Sequence, residues 1–266
     1  RELPGVPAPE ANLLQETIDF THPDFAMTLR MTSIHAGEAR MHHSTDRGKN
    51  WTGPFLLPSF GTQGTAPRTN YIVDSHRECM LFLTAAKSNG QEGRPFCAST
   101  RDGGRNWEFL SWIGEEPRGF SIMPSGVRLS DYTLLVAARR REAKKRWIGA
   151  FLSEDNGKTW QALENPVEDT GEGNPPCLLS LQDGRVCLTY GVRAQPFRIC
   201  AKISGDGGRS WGPELVLRDD GGCRDIGYVR SVQRLDGTIA TAYYFQDNAT
   251  GPERYIAATL WHPDCA

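Results

Sequence analysis

No stretch of this chain approaches the roughly 18 consecutive apolar residues that a membrane-spanning helix needs. Neither sign of charge dominates. With 30 basic and 32 acidic residues the formal net charge is −2, too even a balance to draw the chain to nucleic acid or to an anionic membrane. The seven cysteines (Cys79, Cys97, Cys177, Cys187, Cys200, Cys223 and Cys265) contain no CxxC pair and no zinc-like spacing. The six histidines form no HxxxH pattern, so neither a structural zinc nor a catalytic metal centre is expected. Four of the cysteines sit inside apolar, strand-like runs and read as buried free thiols. The opening residues Arg1 to Gln15 lack the apolar core of a secretory signal, and the Pro-rich residues 4–9 read as a surface tether.

What the chain has in quantity is turn chemistry. Glycine and proline together supply 28 and 17 of the 266 residues, a mix that suits many short strands joined by tight turns. Four segments share one pattern: Ser or Thr, any residue, Asp, any residue, Gly, two further residues, Trp. They are Ser44 to Trp51, Thr100 to Trp107, Ser153 to Trp160 and Ser204 to Trp211. One match to so loose a pattern is weak, but four at near-constant spacing are not accidental. The Asp carboxylate accepts bonds from turn amides, Gly supplies a positive φ, and Trp opens the next strand with a large ring to bury. A calcium loop is the competing reading, but strands rather than helices flank the turn, and the Glu that closes an EF-hand loop is missing.

The same strand grammar recurs around each turn. Pro176 to Leu181 reads as a first strand and Gln182-Asp183-Gly184-Arg185 as a hairpin turn. Val186 to Gly191 follows as a second strand and Ile199 to Ile203 as a third. Then come the Asp turn and a fourth strand from Trp211. Four antiparallel strands in about 50 residues make a propeller blade. Units of this kind start near residues 23, 68, 122, 175 and 226, so the expected fold is all-β, a five-bladed propeller in a single domain over 1–266. The last unit lacks an Asp turn, and Leu13 to Phe20 is expected to supply its outer strand.

Asp turns repeated on a propeller resemble the sialidase (neuraminidase) superfamily, the BNR-repeat proteins, over nearly the whole chain. Members of that superfamily usually carry six blades. The resemblance implies an arginine cluster that clamps a substrate carboxylate, a tyrosine nucleophile assisted by a glutamate, and an aspartate acid. In a propeller, first-strand starts and the loops leaving second strands build one face, and the Asp turns lie on the other. Arg68, Glu92, Arg139, Arg141, Arg193 and Arg230 occupy such positions and are the expected substrate-binding residues; clustered guanidinium groups suit bidentate carboxylate recognition. Glu172, in Glu-Gly-Asn-Pro-Pro, precedes Arg193 as the family's glutamate precedes a triad arginine, and Tyr228 sits like the nucleophilic tyrosine before the last hairpin. The implied catalytic set is Tyr228 as nucleophile, Glu172 as its base and Asp225 as proton donor. Two features depart from the family pattern: no Arg-Ile-Pro-like motif precedes the first Asp turn, and only 22 residues separate Asp206 from Tyr228. Arg230 is the expected substitute for the third arginine. Trp112 and Trp147 are expected to pack between blades rather than to stack on sugar.

The implied activity is exo-glycoside hydrolysis of a terminal acidic sugar, with a glycan as partner and no cofactor. A non-hydrolytic glycan-binding propeller and a polysaccharide lyase using the same pocket are the alternatives. The resemblance implies a secreted or periplasmic setting, while the free-thiol reading of the cysteines points the other way.

Overall fold

A computed structural model describes residues 9–264. Cys265 and all but the last residue of the expected tether lie outside the described residues. The described fold is all-β, built from antiparallel sheets of the propeller-blade type that follow one another in chain order. No helix is long and apolar enough to cross a membrane. The contacts divide the chain into two compact units, Arg1–Glu92 with Phe96–Leu110, and Gly93–Pro95 with Ser111–Ala266.

The first unit holds one blade and most of a second, of which residues 93–95 and 111–112 fall in the other unit. One is a three-stranded sheet of β1 (Ala26–Met31), β2 (Ala39–Ser44) and β3 (Thr52–Leu56). The other has four strands in the order β4 (Tyr71–Val73), β5 (Cys79–Ala86), β6 (Glu92–Thr100) and β7 (Glu108–Trp112). All eight residues of β5 are buried, as its unbroken run Cys-Met-Leu-Phe-Leu-Thr-Ala-Ala requires. The segment before β1 corrects an expectation. Leu13 to Phe20 forms no strand of the last blade. Asn12 pairs in parallel with Phe55, the Ile18 amide donates to the Gly103 carbonyl at 2.9 Å, and the Phe20 amide donates to the His76 carbonyl at 3.0 Å. The reason is apolar burial: Ile18 and Phe20 are buried, and the Phe20 ring meets Phe25 and Trp107 edge-on.

The second unit holds three blades. They are β8 (Phe120–Arg128), β9 (Leu134–Glu142), β10 (Lys145–Ser153) and β11 (Gln161–Ala162); then β12 (Cys177–Ser180), β13 (Val186–Val192), β14 (Phe197–Ser204) and β15 (Leu215–Gly221); then the three-stranded β16 (Gly227–Gln233), β17 (Ile239–Phe245) and β18 (Tyr255–Trp261). The predicted first three strands of the middle blade fall on β12, β13 and β14. The fourth begins at Leu215 rather than Trp211. The core lies between successive sheets. Leu135, Ala137, Ile148 and Leu152 of one sheet meet Val186, Leu188 and Tyr190 of the next, and Ile199 and Cys177 meet Ile226, Val229 and Phe245. The six described cysteines are free thiols, five of them buried, and burial pushes the Cys200 thiol up to about 12.

The four Asp turns share one bonding scheme. In each, the Ser or Thr hydroxyl donates to the carboxylate at 2.7–2.9 Å and accepts the amide of the Gly four residues on at 2.8–3.1 Å. The carboxylate also accepts a backbone amide four residues on at 2.9–3.0 Å. The tryptophans are less uniform than expected: Trp107 is buried, but Trp51 is 43% exposed. Amide donation from Asn50 holds the Asp46 carboxyl at about 2, and the Ser210 hydroxyl and amide hold Asp206 at about 2. Folded values below the ordinary 3.8 mean that these groups contribute stability above about pH 4, and that it is lost as pH falls towards 2. The expected result is a thermal midpoint that declines between about pH 5 and pH 2, with a shallower decline in Asp206→Asn. Parallel pH scans of the two proteins check it.

Candidate active site

The strand directions decide which ends of the second unit's sheets carry chemistry. Lys145 at the start of β10 pairs with Glu142 at the end of β9, and Ser153 at the far end of β10 pairs with Leu134. The Asp155 turn therefore lies at one end of its sheet and Arg139 to Glu142 lie towards the other. Glu172, Asn174, Arg193, Asp225 and Tyr228 join Arg139 at that second end.

Glycines permit the approach of these segments. Gly171 (φ +67) bridges to Arg193, and a Cβ there would stand 2.4 Å from the Arg193 carbonyl carbon. Two residues on, Gly173 (φ +89) lets the Arg139 side chain cross it; a Cβ would meet Nε at 2.9 Å. Asn174, with no exposed surface, then acts as a wedge. Its Nδ2 donates to the Ile226 carbonyl at 2.7 Å, and its Oδ1 accepts the Tyr228 amide at 3.0 Å. The amide group fits only because Gly191 and Gly227 carry no side chain; added Cβ atoms would lie 2.7 and 2.1 Å from Nδ2. Held this way, Tyr228 has φ +52, a left-handed conformation unfavourable for a residue with a bulky side chain, and β16 bulges between Gly227 and Arg230. The ring of Tyr228 is 40% exposed and lies 5.7 Å from the Tyr244 ring, with the Arg193 guanidinium 5.6 Å from its centre.

Arg193 is fixed on three sides. Its Nε donates to the Ile226 carbonyl at 3.1 Å, and its Nη2 contacts the Tyr244 hydroxyl and lies 3.3 Å from Asp225. Asp225 accepts the Tyr244 hydroxyl at 2.7 Å and pairs with Arg254 Nε at 2.7 Å. Arg193, Cys223, Arg224, Asp225 and Arg254 line a cavity of 380 Å³. Arg139 donates to the Glu172 carbonyl at 3.3 Å, and the nearby Tyr228 side chain favours its charge. No group of three or more metal-ligating side chains occurs among the described residues.

Two sequence-based roles need correction. Glu172 is not hydrogen-bonded to the phenol of Tyr228: its carboxylate is engaged by Arg224, and its backbone carbonyl accepts Arg139. Asp225 is held below its ordinary value, first by the Tyr244 hydroxyl and then by Arg254 and Arg193, with burial opposing. It is a carboxylate at neutral pH and is poorly suited to donate a proton. Burial and the bond to Asp225 raise Tyr244 in turn.

The remaining expected residues are spread over both units. Arg68 and Glu92 lie in the first unit, 3.6 Å apart as an ion pair, and Arg68 also donates to the Pro67 carbonyl. In the second unit, Arg141 is exposed beside the Phe120 ring, and Arg230 lies along β16 with Nη1 donating to the Val229 carbonyl. Trp112 and Trp147 lie under Arg94 and Arg140. Sequence reasoning missed Tyr244, Arg224 and Arg254. Arg224 has a signal in the run Cys-Arg-Asp-Ile-Gly-Tyr, but Tyr244 stands in a strand-like apolar run and looks like core.

The family model described as BNR repeat-like domain matches residues 20–241. A sialidase of Micromonospora viridifaciens is 28% identical over 211 residues, which are 66% of this chain and 31% of that protein. Among solved structures, a protein of unknown function from Dyadobacter fermentans is 25% identical with a TM-score of 0.70, covering 84% of this chain and 63% of that one. The K499G mutant of NanB sialidase from Streptococcus pneumoniae is 17% identical with a TM-score of 0.62, covering 86% and 36%, a likeness of fold. The chain thus spans about a third of the length of the sialidase from Micromonospora.

Proposed function

The chain belongs to the BNR repeat-like domain family, and from that premise we propose that it is a glycoside hydrolase acting on a terminal acidic sugar. The observation that carries the reading is the cavity lined by Arg193, Arg224 and Arg254, with Arg139 and Tyr228 beside it. Four guanidinium groups stand against two carboxylates, Glu172 and Asp225, so the site keeps a surplus of positive charge for an anionic ligand. Arg193 and Arg139 clamp the sugar carboxylate. Tyr228, exposed and braced from behind by Asn174, attacks the anomeric carbon, and a phenol is a better attacker beside a bound carboxylate than another anion. Arg139 compensates the charge that develops on the phenol oxygen as its proton leaves, and Asp225, ionised beside Arg193, is the carboxylate that takes that proton. The bond to the aglycone oxygen breaks as the phenol attacks, the aglycone leaves with a proton from solvent, and water then displaces the phenol oxygen, which gives retention at the anomeric centre.

The test is release of a fluorescent leaving group from a panel of sialyl, uronyl and neutral glycosides. Turnover of acidic members alone is the expected result; turnover of neutral members alone would overturn the proposal.

A further inference from the structure

The arginines of the site do not end at the cavity. Arg139 and Arg141 stand two residues apart on β9 and so share a face, with Cα atoms about 7 Å apart. Arg141 pairs directly across the sheet with Phe120 on one side and Arg146 on the other, so all four side chains belong to one face. The Phe120 ring lies 5.7 Å from the Arg139 guanidinium and 6.0 Å from that of Arg141. Arg146 donates to the carbonyls of Ala143 and Lys145 at 3.0 and 3.4 Å.

Among the described residues none of these three arginines is in an ion pair with a carboxylate, whereas Arg193, Arg224 and Arg254 all are. Arg139 Nε is moreover buried without a hydrogen-bond partner. Both Arg193 and Arg146 repel the Arg139 charge, which burial also disfavours. A half-buried cation that is repelled by its neighbours and paired with no carboxylate is costly in the empty protein and is relieved by an anion. The row of arginines adjoins the cavity through Tyr228, which acts on the Arg139 charge and lies under the Arg193 guanidinium.

We propose that Arg139, Arg141, Arg146 and Phe120 form a second carbohydrate subsite, and that the substrate is a chain of consecutive acidic sugars. This rests on the reading that Tyr228 and Arg193 mark the place of the cleaved sugar. The terminal sugar occupies the cavity. The next acidic sugar lies over Phe120, its carboxylate between Arg141 and Arg146, and Arg139 stands between the two.

Calorimetric titration at low salt tests this without requiring turnover. The probes are tetramers of galacturonate and, in a second arm, of α-linked sialate, each against its monomeric methyl glycoside. The tetramer of one series should bind about tenfold more tightly than its monomer or better, and the series that does so identifies the sugar. Arg141→Ala with Arg146→Ala should bring the tetramer to the level of the monomer. Arg141→Glu, exposed and therefore harmless to folding, should do so alone. Equal affinity of tetramer and monomer in both series, no binding of either tetramer, or a preference that survives the double replacement would overturn the subsite. Hydrolysis of the monomeric glycosides judges the cleavage site separately. Turnover without chain-length preference removes only the subsite, and chain-length preference without turnover removes only the hydrolase.

Discussion

Replacing Tyr228 by Phe is expected to abolish the proposed turnover of acidic glycosides while leaving the fold and most of the binding intact. The change removes one oxygen from a ring that is 40% exposed, so no cavity opens in the core and the thermal midpoint stays within a degree or two. The tilted ring contact with Tyr244 and the Arg193 guanidinium over the ring both survive, because neither uses the hydroxyl. What goes is the proposed attacking atom and its interaction with Arg139. Loss of a nucleophile costs at least about a thousandfold in kcat, with KM changed far less. Steady-state kinetics with one acidic substrate checks both numbers. A variant that keeps a tenth of the wild-type kcat would return Tyr228 to a packing role.

The second large effect is expected one residue earlier and acts through the backbone. In Gly227→Ala the new Cβ would lie 2.1 Å from Asn174 Nδ2, a clash with the side chain that fixes Tyr228. Asn174 is buried, wedged against Gly191, and bonded to Ile226, so it has no room to retreat. The φ of +111 at Gly227 is also unfavourable for alanine. The strand start must therefore shift and carry the phenol out of line. Overpacking of this kind costs roughly 2–3 kcal/mol of stability, and misplacing a reacting group by about 1 Å costs about a hundredfold in kcat. The expected signature is a lowered thermal midpoint together with a kcat loss larger than the KM change. Unchanged kinetics in a folded variant would mean that the Asn174 wedge does not set the position of Tyr228.

The blades were legible because their determinants are local. An Asp turn needs Ser or Thr, Asp and Gly within five residues, and all four such turns adopt the one bonding scheme that the spacing implies. Hairpins such as Asp183-Gly184 and the apolar run of β5 are equally local. Leu13 to Phe20 was misjudged because its place depends on where Ile18 and Phe20 find a buried pocket, beside residues near position 105, which no nearby residue encodes. The site divides in the same way. Arg139, Arg193 and Tyr228 could be singled out because they flank strand ends of repeated units. The partners that define their chemistry could not. Asn174 acts on residues 52 and 54 positions away, and Arg193 on one 51 positions away. Glu172 and Asp225 illustrate the consequence. Both carboxylates were found in the sequence, but the roles given to them fail once Arg224 is seen to hold one and Tyr244 to hold the other ionised.

The central claim is that this arginine-rich cavity selects a sugar by its carboxylate. The most direct measurement is the ratio of kcat/KM for a matched pair, a hexuronide or sialoside against the neutral sugar that differs by the carboxylate alone, with the same leaving group. The account predicts a preference of at least about a hundredfold for the acidic member, reduced sharply in Arg193→Lys, where the bidentate fork is lost. Equal rates for the two members, or a preference for the neutral one, would contradict it.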